Sequence, residues 1–135
     1  MIRMTNKDVD ISEENNNLKK MKNYYNKALN IVKRVIGREE VDSLMYDKDV
    51  MLDISYDNED WAGVCIDRDF YYEIKLRYDV LYHCEPKKII EILIHEIIHT
   101  FCNTYDHDGM WFYYADMISS ATQYNIPVGD WIDEE

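Results

Sequence analysis

An α+β fold in a single domain is what this sequence predicts, and three patterns carry the prediction. Between Leu18 and Ile36, apolar residues recur in steps of three and four, the period of an amphipathic helix. Between Val50 and Leu76 stand three short runs of strand composition, parted by turn residues. From Lys88 a long apolar run returns, and a further helical pattern follows it. Strands and helices thus fall in separate blocks. The 135 residues leave room for one domain of ordinary size, residues 1–135.

Taken in order, Met1–Ile11 is polar, frayed and without the apolar segment of a secretory signal. Ser12, followed by Glu13, Glu14 and Asn15, has the composition of a helix start. Leu18, Met21, Tyr25, Ala28, Leu29, Val32, Val35 and Ile36 then form one face of a helix that ends near Gly37. Val41–Tyr46 reads as a short extra helical turn. Val50–Tyr56, Trp61–Ile66 and Tyr71–Leu76 read as strands, and their short connections predict an antiparallel three-stranded meander. Gly63 inside the second strand marks a bulge or a close backbone approach. Tyr78–Glu85 reads as a linking loop, in which His83-Cys84 is a structural pair rather than a metal site. Glu85-Pro86 opens the next helix, since proline fits a first helical turn. A last helix runs from about Met110 to Gln123, with Trp111, Tyr114, Ala115, Met117, Ile118 and Ala121 inward. Pro127 and Gly129 end regular structure. Trp131-Ile132 can tuck back onto the core ahead of a solvated acidic tail.

Composition narrows the function classes. Apolar residues make up 47%, enough for a real core and against wholesale disorder. No run of 18 apolar residues exists, so no membrane span is expected. Cys65, Cys84 and Cys102 are odd in number and far apart, which is no disulfide framework, and a cytoplasmic address follows. Charge is uneven: residues 1–40 carry nine Lys/Arg against six Asp/Glu, whereas residues 41–135 carry a net of −15. The basic residues of the first helix, Lys19, Lys20, Lys22, Lys27, Lys33 and Arg34, read as a solvated face.

The chemistry centres on His95-Glu96-Ile97-Ile98-His99. Residues four apart on a helix lie one turn apart on nearly the same face, so two imidazoles can bind one metal ion. Zinc accepts imidazole nitrogen at roughly 2.0–2.1 Å in a tetrahedral shell. Glu96 can then face a metal-bound water without being a ligand, as a general base of hydrolysis must. The flanking Ile89, Ile90, Ile92, Leu93, Ile94, Ile97, Ile98 and Phe101 make this a buried helix. Buried polar groups need partners, and a metal supplies one. The plain alternative is a core helix whose histidines are satisfied by hydrogen bonds.

A catalytic zinc site takes three protein ligands and keeps a fourth position open. Position 105, where a closely spaced third histidine would stand, holds Tyr105. No glutamate lies between Glu96 and Glu134 to serve instead. The remaining candidates are His107, Asp106, Asp108 and Asp116. His107 is preferred, because a turn after His99 brings the chain back toward the helix. Asp108 or Asp106 could then orient a ligand histidine. Cys102 reads as a buried thiol. Tyr105 is a possible oxyanion partner among many tyrosines.

From about Val50 to Ile118 the chain resembles the SprT-like metallopeptidase domain, also found in the Spartan protease. The likeness rests on Trp61-Ala62-Gly63-Val64-Cys65, Glu73-Ile74-Lys75-Leu76, Leu93–His99 and His107-Asp108-Gly109-Met110-Trp111, together with the amphipathic first helix. It implies a zincin-like fold with a small sheet beside the active helix, zinc held by His95, His99 and His107, and Glu96 as the base. The implied function is a zinc metallopeptidase acting on protein or peptide substrates. A non-catalytic zinc-binding module of the same family is the alternative. The four-cysteine zinc ribbon that many members carry has no counterpart in these residues. Spartan-type relatives act on proteins attached to DNA, but the acidity of residues 41–135 opposes a polyanion, so DNA binding is expected to be weak or absent.

Overall fold

A computed structural model describes residues 11–45, 48–102 and 109–128 of the chain. The expectations for Met1–Asp10, Tyr46, Tyr105–Asp108 and Trp131–Glu135 lie outside these residues, as does the side chain of Cys102. The first helix, α1, spans Ile11–Ile36. Ser12 lies inside it rather than at its cap. Met21, Tyr25, Ala28 and Val32 of the expected stripe are buried, joined by Ile31. Gly37 ends α1 with φ 115, a backbone angle that disfavours any side chain. The extra turn follows as α2, Arg38–Leu44, which buries Val41.

The sheet corrects one expectation. Strands β1 (Asp49–Ser55), β2 (Gly63–Asp67) and β3 (Tyr71–Arg77) form, but in the order β1-β3-β2. β3 pairs antiparallel with β2 and parallel with β1, so the sheet is mixed and not an antiparallel meander. The two connections explain the difference. Between β2 and β3 the chain turns within Arg68–Phe70, where Asp69 takes φ 74 and its N–H donates to the Asp67 carboxylate at 2.9 Å. So tight a link forces a hairpin. The link from β1 to β2 runs through Tyr56–Ala62 and is long enough to step over one strand position of about 4.8 Å. β3 takes the central place. Its Tyr72, Ile74 and Leu76 are all buried, so it gains most from neighbours on both sides. Arg77, at its end, donates from Nη1 to the carbonyls of Glu59 and Trp61 at 3.0 and 3.2 Å and pins the long link.

A second correction concerns Tyr78–Glu85, where Tyr78–His83 form a short helix, α3. It buries Val80 and Leu81 side by side, and one turn is too short to show a period in sequence. Helix α4 covers Pro86–Cys102, with proline at its first position as expected. Every residue from Glu91 to Thr100 is buried, so this helix is enclosed on all sides. Helix α5, Gly109–Ala121, buries Trp111, Tyr114, Ala115 and Ile118. Met117 is half-buried and Ala121 exposed, so the inward stripe is narrower than its spacing implied. α4 packs on α1, α5 and β2, while α1 also covers β1. Among the described residues, no helix is long and apolar enough to cross a membrane.

Candidate metal centre

The close approach marked by Gly63 sets the floor of the site. A Cβ built there would meet Ile92 Cγ2 at 2.9 Å, Leu76 Cδ2 at 3.3 Å and Glu96 Oε2 at 3.4 Å. Only a hydrogen at this position lets α4 lie directly on β2, with the Glu96 side chain against the strand backbone.

On α4 the helical period brings His95, Glu96 and His99 together as expected. The three are 1%, 1% and 7% exposed. Each offers one ligand atom, and these atoms lie within 4.8 Å of one another. The imidazole centroids are 5.0 Å apart with their planes at 67°, and Glu96 Oε2 is 3.8 Å from His95 Nε2. Two imidazoles at this spacing are donors that zinc accepts, and the carboxylate stands beside them where it can face a metal-bound water without being a ligand.

His95 shows which of its nitrogens is presented. Its Nδ1 lies 2.5 Å from the Pro127 carbonyl oxygen. A carbonyl only accepts, so Nδ1 carries a proton toward it, and Nε2, 3.8 Å from Glu96 Oε2, is the nitrogen left for a metal. Partners of this kind fix the tautomer and ring orientation of metal-binding histidines. Trp111 of α5, fully buried, forms the wall. Its ring is 4.8 Å from that of His95 and 5.9 Å from that of His99, and its Nε1–H donates to the His95 carbonyl at 3.4 Å.

Of the other candidates, Asp116 is exposed on α5 and outside the cluster. His83 is exposed at the end of α3 and Cys84 half-buried, and among the described residues neither joins a metal-binding group. His107, Asp106, Asp108 and Tyr105 lie outside the described residues. Sequence reasoning missed Pro127, which acts through its backbone and leaves no side-chain signal. It placed Trp111 in the core stripe and in the family segment after His107, but not as a ring packed on both histidines.

No curated protein matches the chain. A model of the SprT-like family matches residues 24–129, which takes in everything from the middle of α1 through the strands, the α4 cluster and the Pro127 carbonyl, and the chain therefore belongs to the SprT-like family.

Proposed function

We propose that this protein is a zinc metallopeptidase that hydrolyses protein or peptide substrates, with His95, His99 and His107 as metal ligands and Glu96 as general base. One observation carries the reading: two imidazoles and a carboxylate converge in a buried spot, with His95 Nδ1 committed to a backbone carbonyl and Nε2 turned to the carboxylate. Family membership supports it. A bound zinc supplies Lewis-acid polarisation of the scissile carbonyl and lowers the pKa of water toward roughly 7.

The residues of the chain do the rest. Glu96 accepts the proton of the attacking water and hands it to the leaving amine nitrogen. Gly63 lets the strand backbone approach that side chain closely. Trp111 and Pro127 hold the His95 ring in one orientation. His107 lies outside the described residues and is taken as third ligand from the sequence alone. It stands four residues before Trp111, whose ring packs on both histidines, and four residues span at most about 14 Å.

The test pairs metal analysis with cleavage of an unfolded protein. The parent is expected to hold one zinc and to cleave. Glu96→Gln should keep zinc and lose about 10²–10⁴-fold in rate, the range of general-base contributions. His107→Ala should lose zinc at concentrations where the parent keeps it. Equal cleavage by Glu96→Gln removes Glu96 from the chemistry. Zinc binding without any cleavage by the parent leaves a non-catalytic module.

A further inference from the structure

The run after α5 does more than end the fold. From Thr122 to Val128 the chain turns back across α4, and three of its backbone N–H groups are held by side chains. Thr122 Oγ1 accepts from the Tyr124 N–H at 3.1 Å, and Ser119 Oγ accepts from the Ile126 N–H at 3.3 Å. The third is of a different kind. Glu91 Oε2 accepts from the Asn125 N–H at 2.8 Å.

Glu91 lies in the middle of Ile89-Ile90-Glu91-Ile92-Leu93, and its side chain is 6% exposed. Burying a carboxylate is costly unless it serves as an acceptor. It stands one helical turn before His95, so both side chains project from the same face of α4. They meet the returning chain two residues apart, Glu91 at the Asn125 N–H and His95 at the Pro127 carbonyl. The Glu91 bond ties the returning chain to α4 only two residues before Pro127. The carbonyl that sets the proton on His95 Nδ1 is therefore located by Glu91.

We infer that Glu91 is a positioning residue for the metal centre: it tethers the segment after α5 so that the Pro127 carbonyl holds His95 with Nε2 presented to the metal. This rests on the metal-centre reading above, but its first readout does not require metal. In metal-free protein at mildly alkaline pH, ring-nitrogen NMR of His95 should show the proton on Nδ1. Glu91→Ala should shift His95 toward a mixture with the proton on Nε2. Zinc affinity, measured by competition with a chelator, should fall roughly tenfold, the lower end of what losing an outer-shell partner costs. Glu91→Gln keeps an acceptor oxygen at the same place and should bind zinc within about threefold of the parent, by the same scale.

Asn125→Pro removes the same hydrogen bond from the other side, without touching α4. It covers the case in which Glu91→Ala does not fold. If both residues act through one bond, the double variant Glu91→Ala/Asn125→Pro is no weaker than the worse single variant. Unchanged His95 tautomer in both single variants overturns the inference. So does Glu91→Gln binding zinc as weakly as Glu91→Ala, since that would make the charge, not the tether, the source of the effect. A parent that binds no zinc yet shows the tautomer shift would instead refute the metal reading and leave the tether standing.

Discussion

Replacing Gly63 with alanine adds one methyl group where α4 lies on β2. The nearest obstacle, Ile92 Cγ2 at 2.9 Å, belongs to a β-branched side chain that is 4% exposed. In a helix such a side chain has one strongly preferred χ1 rotamer, so it cannot swing aside. Leu76 Cδ2 at 3.3 Å blocks a shift in the opposite direction, and Leu76 is fully buried on the central strand. The strain must be relieved by separating helix and strand, and overpacking of this kind costs about 1–3 kcal/mol. Alanine also narrows the unfolded ensemble, which returns about 0.4–1 kcal/mol. The net loss is about 1–2 kcal/mol. For a chain of this size that is a fall in Tm of roughly 3–10 °C, read by thermal unfolding of metal-free protein. Glu96 Oε2, 3.4 Å from the new carbon, is at ordinary contact distance, but it is carried on the helix that must shift, so cleavage measured well below Tm should fall as well. An unchanged or raised Tm would refute the packing argument, for it would show that β2 and α4 can part freely.

Two further outcomes are expected. Burial, with Cys65 adding to it, pushes the Tyr25 hydroxyl up to about 12 from 10.0. The unfolded chain then loses this proton first, so its stabilisation is full below about pH 10 and is lost as pH rises toward 12, about 3 kcal/mol in all. Burial raises Tyr56 and Tyr78 too, so the readout is the difference in urea stability between parent and Tyr25→Phe across that window; parallel curves would refute it. As to nucleic acid, α1 has part of its positive face engaged, with Lys33 3.4 Å from Asp42 and Lys20 4.3 Å over the Tyr82 ring. Weak, non-specific binding and no stimulation of cleavage by single- or double-stranded DNA are expected near 0.15 M salt, and submicromolar binding would refute this.

What was legible in the sequence was what is local. α1 shows a period because its buried face repeats every three or four residues, α4 shows as an unbroken apolar run, and the helical spacing of His95, Glu96 and His99 places them together. The strands were legible as segments, but not their order. Alternation in β3 says which side chains face inward, and nothing in it says whether β1 or β2 lies alongside. Both flanks are occupied, and only the pairing of Leu76 with Ile54 on one side and Gly63 on the other reveals it. α3 was hidden because one helical turn has no period. Gly63 was legible as a close approach, though what approaches was not.

The centre itself is less local than its motif. A helix enclosed from Glu91 to Thr100 leaves its polar side chains little access to solvent, so each must find its partner within the protein. Thr100 turns its hydroxyl back to the Ile97 carbonyl at 2.6 Å and is satisfied within the helix. Glu91 and His95 are met by backbone groups of residues 125 and 127, more than thirty positions away. Glu96 lies over a strand some thirty residues earlier, and both histidines lean on Trp111. The motif supplies the donors, whereas the segments around it decide which nitrogen is presented and how closely the carboxylate approaches. Substitutions at Gly63, Glu91 and Asn125 should therefore disturb the centre more than conservative changes at Ile97 or Ile98, which sit inside the motif. A swap of Ile97 to leucine trades one apolar shape for another and leaves every polar partner of the helix in place.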